Sequence, residues 1–267
     1  AAAHLPFFRA HAHVDEARRE PYLLPQPYAA IAADAIRERQ RLLPYWSTTW
    51  YRAAHAIDGI GAPVVSPPWL HFGASAAAAG DSATVSVAAA RATLRAEGQW
   101  MVGDALLVQP IAEPGVTQVR LRLPGGASTW WYDLTGESAH ATLPAGIEPQ
   151  RPVLGGEELT IATPLTATPT FQLGGTIVPR RERVRRSALL ALRDPITVHI
   201  APNATRSASG ELYLDDGEST SHPAALLIAF DFACASTGTC ELRATPKRVW
   251  ADAPATSPSP HAEATLE

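Results

Sequence analysis

The sequence predicts an α/β segment followed by an all-β region, and three observations support this fold class. Residues 27–43 place apolar side chains at helical spacing, with Arg and Glu on the opposite side. From about residue 99 the pattern changes to short apolar or alternating runs separated by Gly, Pro and Asp, which is typical of a β-sandwich. The 24 prolines and 18 glycines favour short strands and turns over long helices in that part.

The elements of the first part follow one another along the chain. Residues 5–14 have the composition of a short strand with a polar C-terminal end, and Pro44 separates the first helix from a second helical piece. Residues 74–97 are Ala-rich and of low complexity. The later strands are predicted in ALLVQPI, TQVRLRLP, STWWYDL, LTIATP, TFQLGGTIVP, ITVHIAP, GELYLDDG and ALLIAFDFA.

Composition excludes some classes of partner. The net charge of −4 gives no general attraction to nucleic acid or to an anionic membrane. The sequence has no run of about 18 apolar residues, the length that a transmembrane helix needs. The opening AAAHLPFFRA has neither the basic region nor the uninterrupted apolar region of a signal peptide.

Two features bear on the cellular compartment. Cys234 and Cys240 lie six positions apart, which fits equally a disulfide across a hairpin and two unlinked thiols. A disulfide would suit an oxidising compartment. Asn203-Ala-Thr is an N-glycosylation sequon, although such triplets also arise by chance.

The segment HAHVD carries the densest group of potential metal ligands. His11, His13 and Asp15 alternate, which would place them on one face of a strand. The pattern is similar to the H-x-H-x-D-H motif of zinc-dependent hydrolases, but Glu16 stands where that motif has its next histidine. The only lysine, Lys247, lies far from the mid-chain position of a metal-bridging lysine. A polar strand end without a metal is the alternative interpretation.

A longer set of motifs gives a third interpretation. PFFRAHAHVDEARREPYLL, RERQRLLPYWSTTWYRAAH, QWMVGDALLVQPI, PTFQLGGTIVPRRERVRRS and GELYLDDGEST follow one another in this order. In this order they resemble glycoside hydrolase family 31 over most of residues 5–220. Ser66, Pro68 and Leu173 depart from the residues usual in the family, which are Arg, Leu and Arg. Several long motifs in one order are far more specific than a single triplet.

The resemblance implies the C-terminal remnant of a (β/α)8 barrel followed by β-sandwich domains. The expected divisions are the end of the catalytic barrel at 1–72, an Ala-rich insert at 73–97, a proximal β-sandwich at 98–185, the start of a distal β domain at 186–250 and a disordered tail at 251–267.

The resemblance also implies hydrolysis of terminal α-linked glucose with retention of configuration. Retention requires two carboxyl groups about 5 to 5.5 Å apart. In the family both are aspartates on earlier barrel strands, and the nucleophile lies in a W-x-D-M-N-E type motif that this sequence lacks. We therefore expect no catalytic residue in this chain, and no hydrolysis by the chain alone. No cofactor or metal is expected.

Two residues of the FFRAHA motif are candidates for substrate binding. By motif match, His11 is the histidine that hydrogen-bonds a hydroxyl of the sugar in the −1 subsite. Arg9 precedes it by two residues, on the same side of a strand, and could orient the site. His13 and Asp15 have no role that the resemblance supports.

The resemblance further implies N-glycan trimming in the lumen of the endoplasmic reticulum. The substrate would be an α-glucoside or a glucosylated N-glycan, a β subunit is a candidate partner, and neither nucleic acid nor a membrane is expected. Two other functions stay open. One is a non-catalytic β-sandwich module that binds carbohydrate or protein, and the other is a metallohydrolase of the HxHxD type.

Two further clusters are assigned to structure rather than to binding. The basic cluster RRERVRR at 180–186 is predicted to be a solvated strand-to-loop segment, because no RNA-binding motif accompanies it. Trp130, Trp131 and Tyr132 are predicted to serve packing rather than sugar stacking.

Overall fold

The computed structural model describes residues 2–55, 62–72, 98–135, 152–218 and 225–249. The predicted insert at 73–97 and tail at 251–267 lie outside the described residues. The described part divides into two compact units. The first draws on residues within 1–62, 177–199 and 209–267, and the second on residues within 63–176 and 200–208. The domain boundaries expected from the sequence stay a prediction.

Two consecutive helices begin the first unit, as the sequence predicts. Helix α1 spans Tyr28–Arg41 and helix α2 spans Leu43–Ala54, after a single 3-10 turn at Pro21–Leu23. Pro44 lies in the first turn of α2, where a backbone N–H has no partner within the helix. The proline therefore starts a second helix at this point.

The strand predicted over residues 5–14 is wrong. The described structure has no strand here, and the Glu16 N–H closes a turn on the His13 carbonyl oxygen at 3.1 Å. A strand is stabilised by a ladder of hydrogen bonds to a neighbour, and no described strand pairs with this segment. Alternating polarity without such a neighbour does not produce a strand.

The second unit is built on a six-stranded sheet of order β1-β2-β3-β8-β5-β6, accompanied by the antiparallel pair β4 and β7. A short helix, α3 at Pro68–Phe72, follows β1. The strands are β1 Val65–Ser66, β2 Trp100–Val102, β3 Leu106–Val108, β4 Gln118–Arg122, β5 Trp130–Asp133, β6 Val153–Leu154, β7 Glu158–Ala162 and β8 Thr170–Leu173. The sequence did not predict β2 and β6, because their two or three residues show no recognisable alternation and, unlike β3, do not lie within a longer apolar run.

Apolar side chains form the core of the second unit. The fully or nearly fully buried cluster consists of Met101, Leu107, Leu121, Leu123, Trp131 and Phe171. The Trp131 ring has no exposed surface, and its Nε1–H donates to the Pro124 carbonyl oxygen at 3.0 Å. This satisfies the one polar group of the indole. The packing interpretation is confirmed for Trp131.

A five-stranded sheet of order β10-β9-β11-β12-β13 provides most of the remaining structure of the first unit. Its strands are β9 Thr176–Arg180, β10 Thr197–Ala201, β11 Ser207–Leu214, β12 Leu226–Cys234 and β13 Cys240–Val249, and helix α4 at Ala188–Ala191 lies between β9 and β10 in the chain. Gly210 is required on β11, because a Cβ there would lie 2.3 Å from the Ile177 carbonyl oxygen. The Tyr213 N–H donates to Thr48 Oγ1 at 2.9 Å, which ties β11 to α2.

The two cysteines are joined. Cys234 ends β12, Cys240 begins β13, and a disulfide connects them at opposed positions of the ladder. Of the two interpretations that the sequence left open, the cross-linked hairpin is confirmed. Within the described residues, no helix has both the length and the apolar character needed to traverse a membrane.

Candidate functional site

The segment FFRAHAHVD presents its polar side chains to solvent. Arg9 and His11 are both exposed, and neither side chain makes a hydrogen bond or an ion pair with any of the described residues. A guanidinium and an imidazole in this state keep their full capacity to hydrogen-bond a ligand. Their proposed role in binding sugar stays a prediction.

The same segment does not assemble a metal site. His13 Nδ1 lies 3.4 Å from Asp15 Oδ1, with both side chains 81% exposed. In the part of the chain that the structure describes, no three His, Cys, Asp or Glu side chains are grouped so as to hold a metal ion. The structure thus brings His13 and Asp15 together, but His11 does not complete a ligand set with them.

Arg39 of α1 fixes the backbone just before this segment. Its Nη1 donates to the Leu5 carbonyl oxygen at 2.5 Å, and its Nη2 donates to the Pro6 carbonyl oxygen at 2.6 Å. The guanidinium carbon also lies 5.7 Å from the ring centre of Phe8 and 5.4 Å from that of Trp46, within cation–π range. Burial lowers the pKa of Arg39. One side chain therefore holds residues 5–8 against the two helices.

Sequence reasoning missed Arg39, although a signal was present. Arg39, Leu42 and Trp46 follow at i, i+3 and i+7, so they share one face across the junction of α1 and α2. Leu42 and Trp46 are buried at 1% and 3% exposure. An arginine in line with two buried apolar residues points inward, and its donors then need acceptors.

The basic cluster at 180–186 is not solvated in its first two residues, so that prediction is wrong for Arg180 and Arg181. They are 4% and 7% exposed. Arg180 forms a bidentate salt bridge with Glu38 of α1, in which Nη1 donates to Oε1 at 2.7 Å and Nη2 donates to Oε2 at 2.9 Å. Its Nε also donates to Glu182 at 2.9 Å. A planar bidentate salt bridge of this kind compensates a guanidinium for its loss of hydration on burial. The cluster therefore joins the helices to β9.

Glu182 lies at the centre of this charge network. It accepts from Arg180 and lies 3.1 Å from His199 Nε2 on β10. Burial alone would raise the pKa of Glu182, but the hydrogen bond with His199 and the positive charge of Arg180 outweigh it and lower the pKa to about 2. The carboxylate is thus fully ionised near neutral pH and stabilises the network.

Ser66 and His71 form a pair that resembles a nucleophile and its base. Ser66 Oγ lies 2.7 Å from His71 Nε2, linking β1 to α3. Burial lowers the pKa of His71, and the charge of Asp104 opposes that shift. Ser66 is only 3% exposed, so its hydroxyl is closed to a substrate. The pair instead satisfies a buried hydroxyl at one of the positions where the sequence departs from the family.

Comparison of the sequence with known protein families identifies the class of protein to which the chain belongs. Residues 1–49 match the TIM-barrel domain of glycosyl hydrolases family 31, and residues 61–178 match the C-terminal domain of the same family. Together the two matches take in more than half of the chain, and they define part of a barrel glycosidase together with the β domain that follows the barrel. The chain belongs to glycoside hydrolase family 31. The predicted family and fold class are confirmed, and the metallohydrolase interpretation is disfavoured.

Individual relatives agree with the family. The chain is 38% identical over 215 residues to the human protein neutral alpha-glucosidase AB, covering 80% of this chain and 19% of that protein. A crystal structure of the glucosidase II alpha subunit, Tris-bound, is 31% identical with a TM-score of 0.67, covering 87% of this chain and 22% of that one.

A second solved structure is described as the ER glucosidase II heterodimeric complex of the catalytic subunit and the binding domain of the regulatory subunit. It is 30% identical with a TM-score of 0.65, covering 88% of this chain and 23% of that one. The chain spans about a fifth of the length of the curated relatives it matches.

Proposed function

We propose that this chain supplies the C-terminal part of a retaining α-glucosidase that removes terminal α-linked glucose from N-glycans. The observation that carries the proposal is the ordered match of residues 1–49 and 61–178 to the barrel and C-terminal domains of one hydrolase family. The names of the similar proteins, neutral alpha-glucosidase AB and glucosidase II, support the choice of an α-glucoside as substrate.

In this proposal His11 and Arg9 contribute one wall of the sugar pocket. An imidazole N–H donates in a fixed direction to a sugar hydroxyl, and that bond strengthens as charge develops on the sugar ring. Arg39 holds the backbone at Leu5 and Pro6, a few residues before both side chains. The nucleophile and the general acid/base of retaining hydrolysis belong to barrel strands that the sequence of this chain does not include.

The proposed location is the lumen of the endoplasmic reticulum, and the proposed partner is a glucosidase II β subunit. A relative of known structure is described as an ER heterodimer of a catalytic and a regulatory subunit. The disulfide between Cys234 and Cys240 suits an oxidising compartment.

Two activity measurements test the proposal. The isolated chain should release no para-nitrophenol from para-nitrophenyl α-glucoside, and measurable turnover would contradict the assignment of the catalytic carboxylates to other strands. A chimera in which this chain replaces the matching C-terminal region of human neutral alpha-glucosidase AB should release glucose from the same substrate.

Within the chimera, His11→Ala should lower kcat/KM by roughly 100-fold, the usual effect of losing one preorganised donor. Arg9→Ala should cause a smaller loss. His13→Ala is the matched control, because its imidazole lies in the same exposed segment and pairs with Asp15. Equal losses in the His11 and His13 variants would overturn the assignment of His11.

A further inference from the structure

Asn203 stands out in the amino-acid sequence alone. It is the only asparagine among 267 residues, and it opens the triplet Asn203-Ala204-Thr205. The chain contains eleven aspartates, so the acidic analogue of asparagine is in regular use. The one asparagine of the chain therefore lies at the position where a sequon requires asparagine.

The triplet forms the exposed loop between β10 and β11. The Arg206 N–H donates to the Asn203 carbonyl oxygen at 2.8 Å, which closes a β-turn. Ala204, Thr205 and Arg206 are exposed, and Asn203 is half-buried. The three residues that follow Asn203 are therefore open to a modifying enzyme.

All the hydrogen bonds of the Asn203 side chain use its oxygen. Oδ1 accepts from the Thr205 N–H at 3.0 Å, the Thr205 hydroxyl at 2.7 Å, the Ser207 N–H at 3.0 Å and the Ser207 hydroxyl at 3.1 Å. An aspartate could accept the same bonds. These contacts therefore explain an acceptor at position 203 but do not explain an amide.

The amide nitrogen is left available. Nδ2 donates to none of the described residues and is not among their buried, unpartnered polar atoms. Its neighbour is Gly175, where a Cβ would lie 3.4 Å from Nδ2. A substituent on Nδ2 would therefore meet a residue without a side chain, and all four bonds to Oδ1 would remain.

We infer that Asn203 is an N-glycosylation site of this chain, with a lipid-pyrophosphate-linked oligosaccharide as the donor. Nδ2 forms a bond to the anomeric carbon of the first sugar and loses one proton to a base of the transferase. The bond from that carbon to the phosphate oxygen breaks, and the pyrophosphate leaves with the electron pair. The inference rests on the proposed luminal location, with which the Cys234–Cys240 disulfide agrees.

The test is translation of the full chain, behind a cleavable secretory leader, in a cell-free system that contains endoplasmic-reticulum microsomes. The wild-type chain should migrate more slowly on a denaturing gel, and a glycan-releasing amidase should abolish that shift and leave Asp at position 203 in the peptide mass spectrum. Because the chain has no other asparagine, any N-glycan is attached at Asn203.

Three variants control the assignment. Ala204→Pro places proline at the second position of the turn, where proline is favoured, and blocks the sequon, so the shift should disappear. Asn203→Asp should also lose the shift while melting at the same temperature as the unglycosylated wild type, because the acceptor oxygens remain. Thr205→Ser preserves the sequon and its hydroxyl and should keep the shift.

An unmodified wild-type chain, in a reaction that glycosylates a control protein, would overturn the inference, and so would a shift that persists in Ala204→Pro. Because the leader supplies entry into the lumen, either result counts against Asn203 alone. The proposed location is tested separately, by fractionating cells that make the native protein.

Discussion

The two compact units are stabilised in different ways. The second unit is built around six buried apolar residues, and among its described residues no charged side chain is buried. The first unit also buries apolar side chains, among them Trp46, Tyr213 and Phe230, but in addition it contains the buried charged residues Arg180, Arg181 and Asp194. Apolar packing does not depend on pH, whereas ion pairs do. The stability of the first unit should therefore respond to acid and that of the second should not.

The largest effect should come from breaking the apolar core. Trp131→Ala removes a fully buried ring and should lower the free energy of unfolding by about 3–5 kcal/mol. Urea denaturation measures this change. Trp69→Ala is the matched control in the same unit, because that ring is 45% exposed and its loss should cost about 0.5 kcal/mol or less. Similar losses in the two variants would contradict the assignment of the core.

Acid should destabilise the first unit more than the second. The pKa of Glu182 is lowered from 4.5 to about 2 in the folded chain, so its stabilisation is complete above about pH 4.5 and is lost as the pH falls towards 2. The pH-dependent part amounts to about 3 kcal/mol. Hydrogen exchange followed by mass spectrometry should show β9 and β10 losing protection over this range while β3 and β8 keep theirs.

Glu182→Gln should remove most of that pH dependence and should also destabilise the first unit at neutral pH. Glu241→Gln is the control, because that carboxylate is exposed and pairs with Arg243. If the wild type and Glu182→Gln lost stability in parallel between pH 4.5 and 2, Glu182 would not be the group responsible.

A smaller, local effect is expected at Arg39. Arg39→Ala leaves the Leu5 and Pro6 carbonyl oxygens without their donor and should cost about 2 kcal/mol, the usual range for hydrogen bonds to a charged group. Limited proteolysis should cut residues 2–16 faster while the second unit stays intact. Arg37→Ala, an exposed change on the same helix, should leave the cleavage rate as in the wild type.

The smallest effect should be a gain in stability. Arg206 has a φ of +59°, a conformation that favours glycine, and its side chain makes no hydrogen bond or ion pair with the described residues. Arg206→Gly should raise the free energy of unfolding by about 0.5–1 kcal/mol. Ala204→Gly in the same loop should give no gain, because Ala204 has no positive φ.

Much of the fold could be predicted from the sequence, because helical spacing and short alternating runs are local signals. Helices α1 and α2 and most of the longer strands were predicted in this way, with β13 as the exception. The structure of residues 5–14 was predicted wrongly, because a strand depends on hydrogen bonds to a neighbouring strand, which the local pattern does not reveal. Strands β2 and β6 were missed because they are very short and, unlike β3, lie outside a longer apolar run. Strand β13 was missed because Pro246 and its charged residues obscure the alternation.

The candidate site was predictable only in part. The motif drew attention to His11 and Arg9, and the structure shows that both are exposed. The motif alone could not show which residue fixes the segment that carries them. That residue, Arg39, comes from a helix more than twenty positions further on. Arg180 was misjudged for the same reason, since its partner Glu38 lies 142 residues away in the sequence and only the folded chain brings the two together.

The disulfide at the end of the β12–β13 hairpin has a practical consequence. The five residues between Cys234 and Cys240 are exposed, and the bond spans their two ends. A protease that cut this loop would release neither strand, because the covalent link and the ladder would still hold them in register. The loop is therefore a suitable place to insert an affinity tag or a labelling sequence while both flanking strands keep their positions.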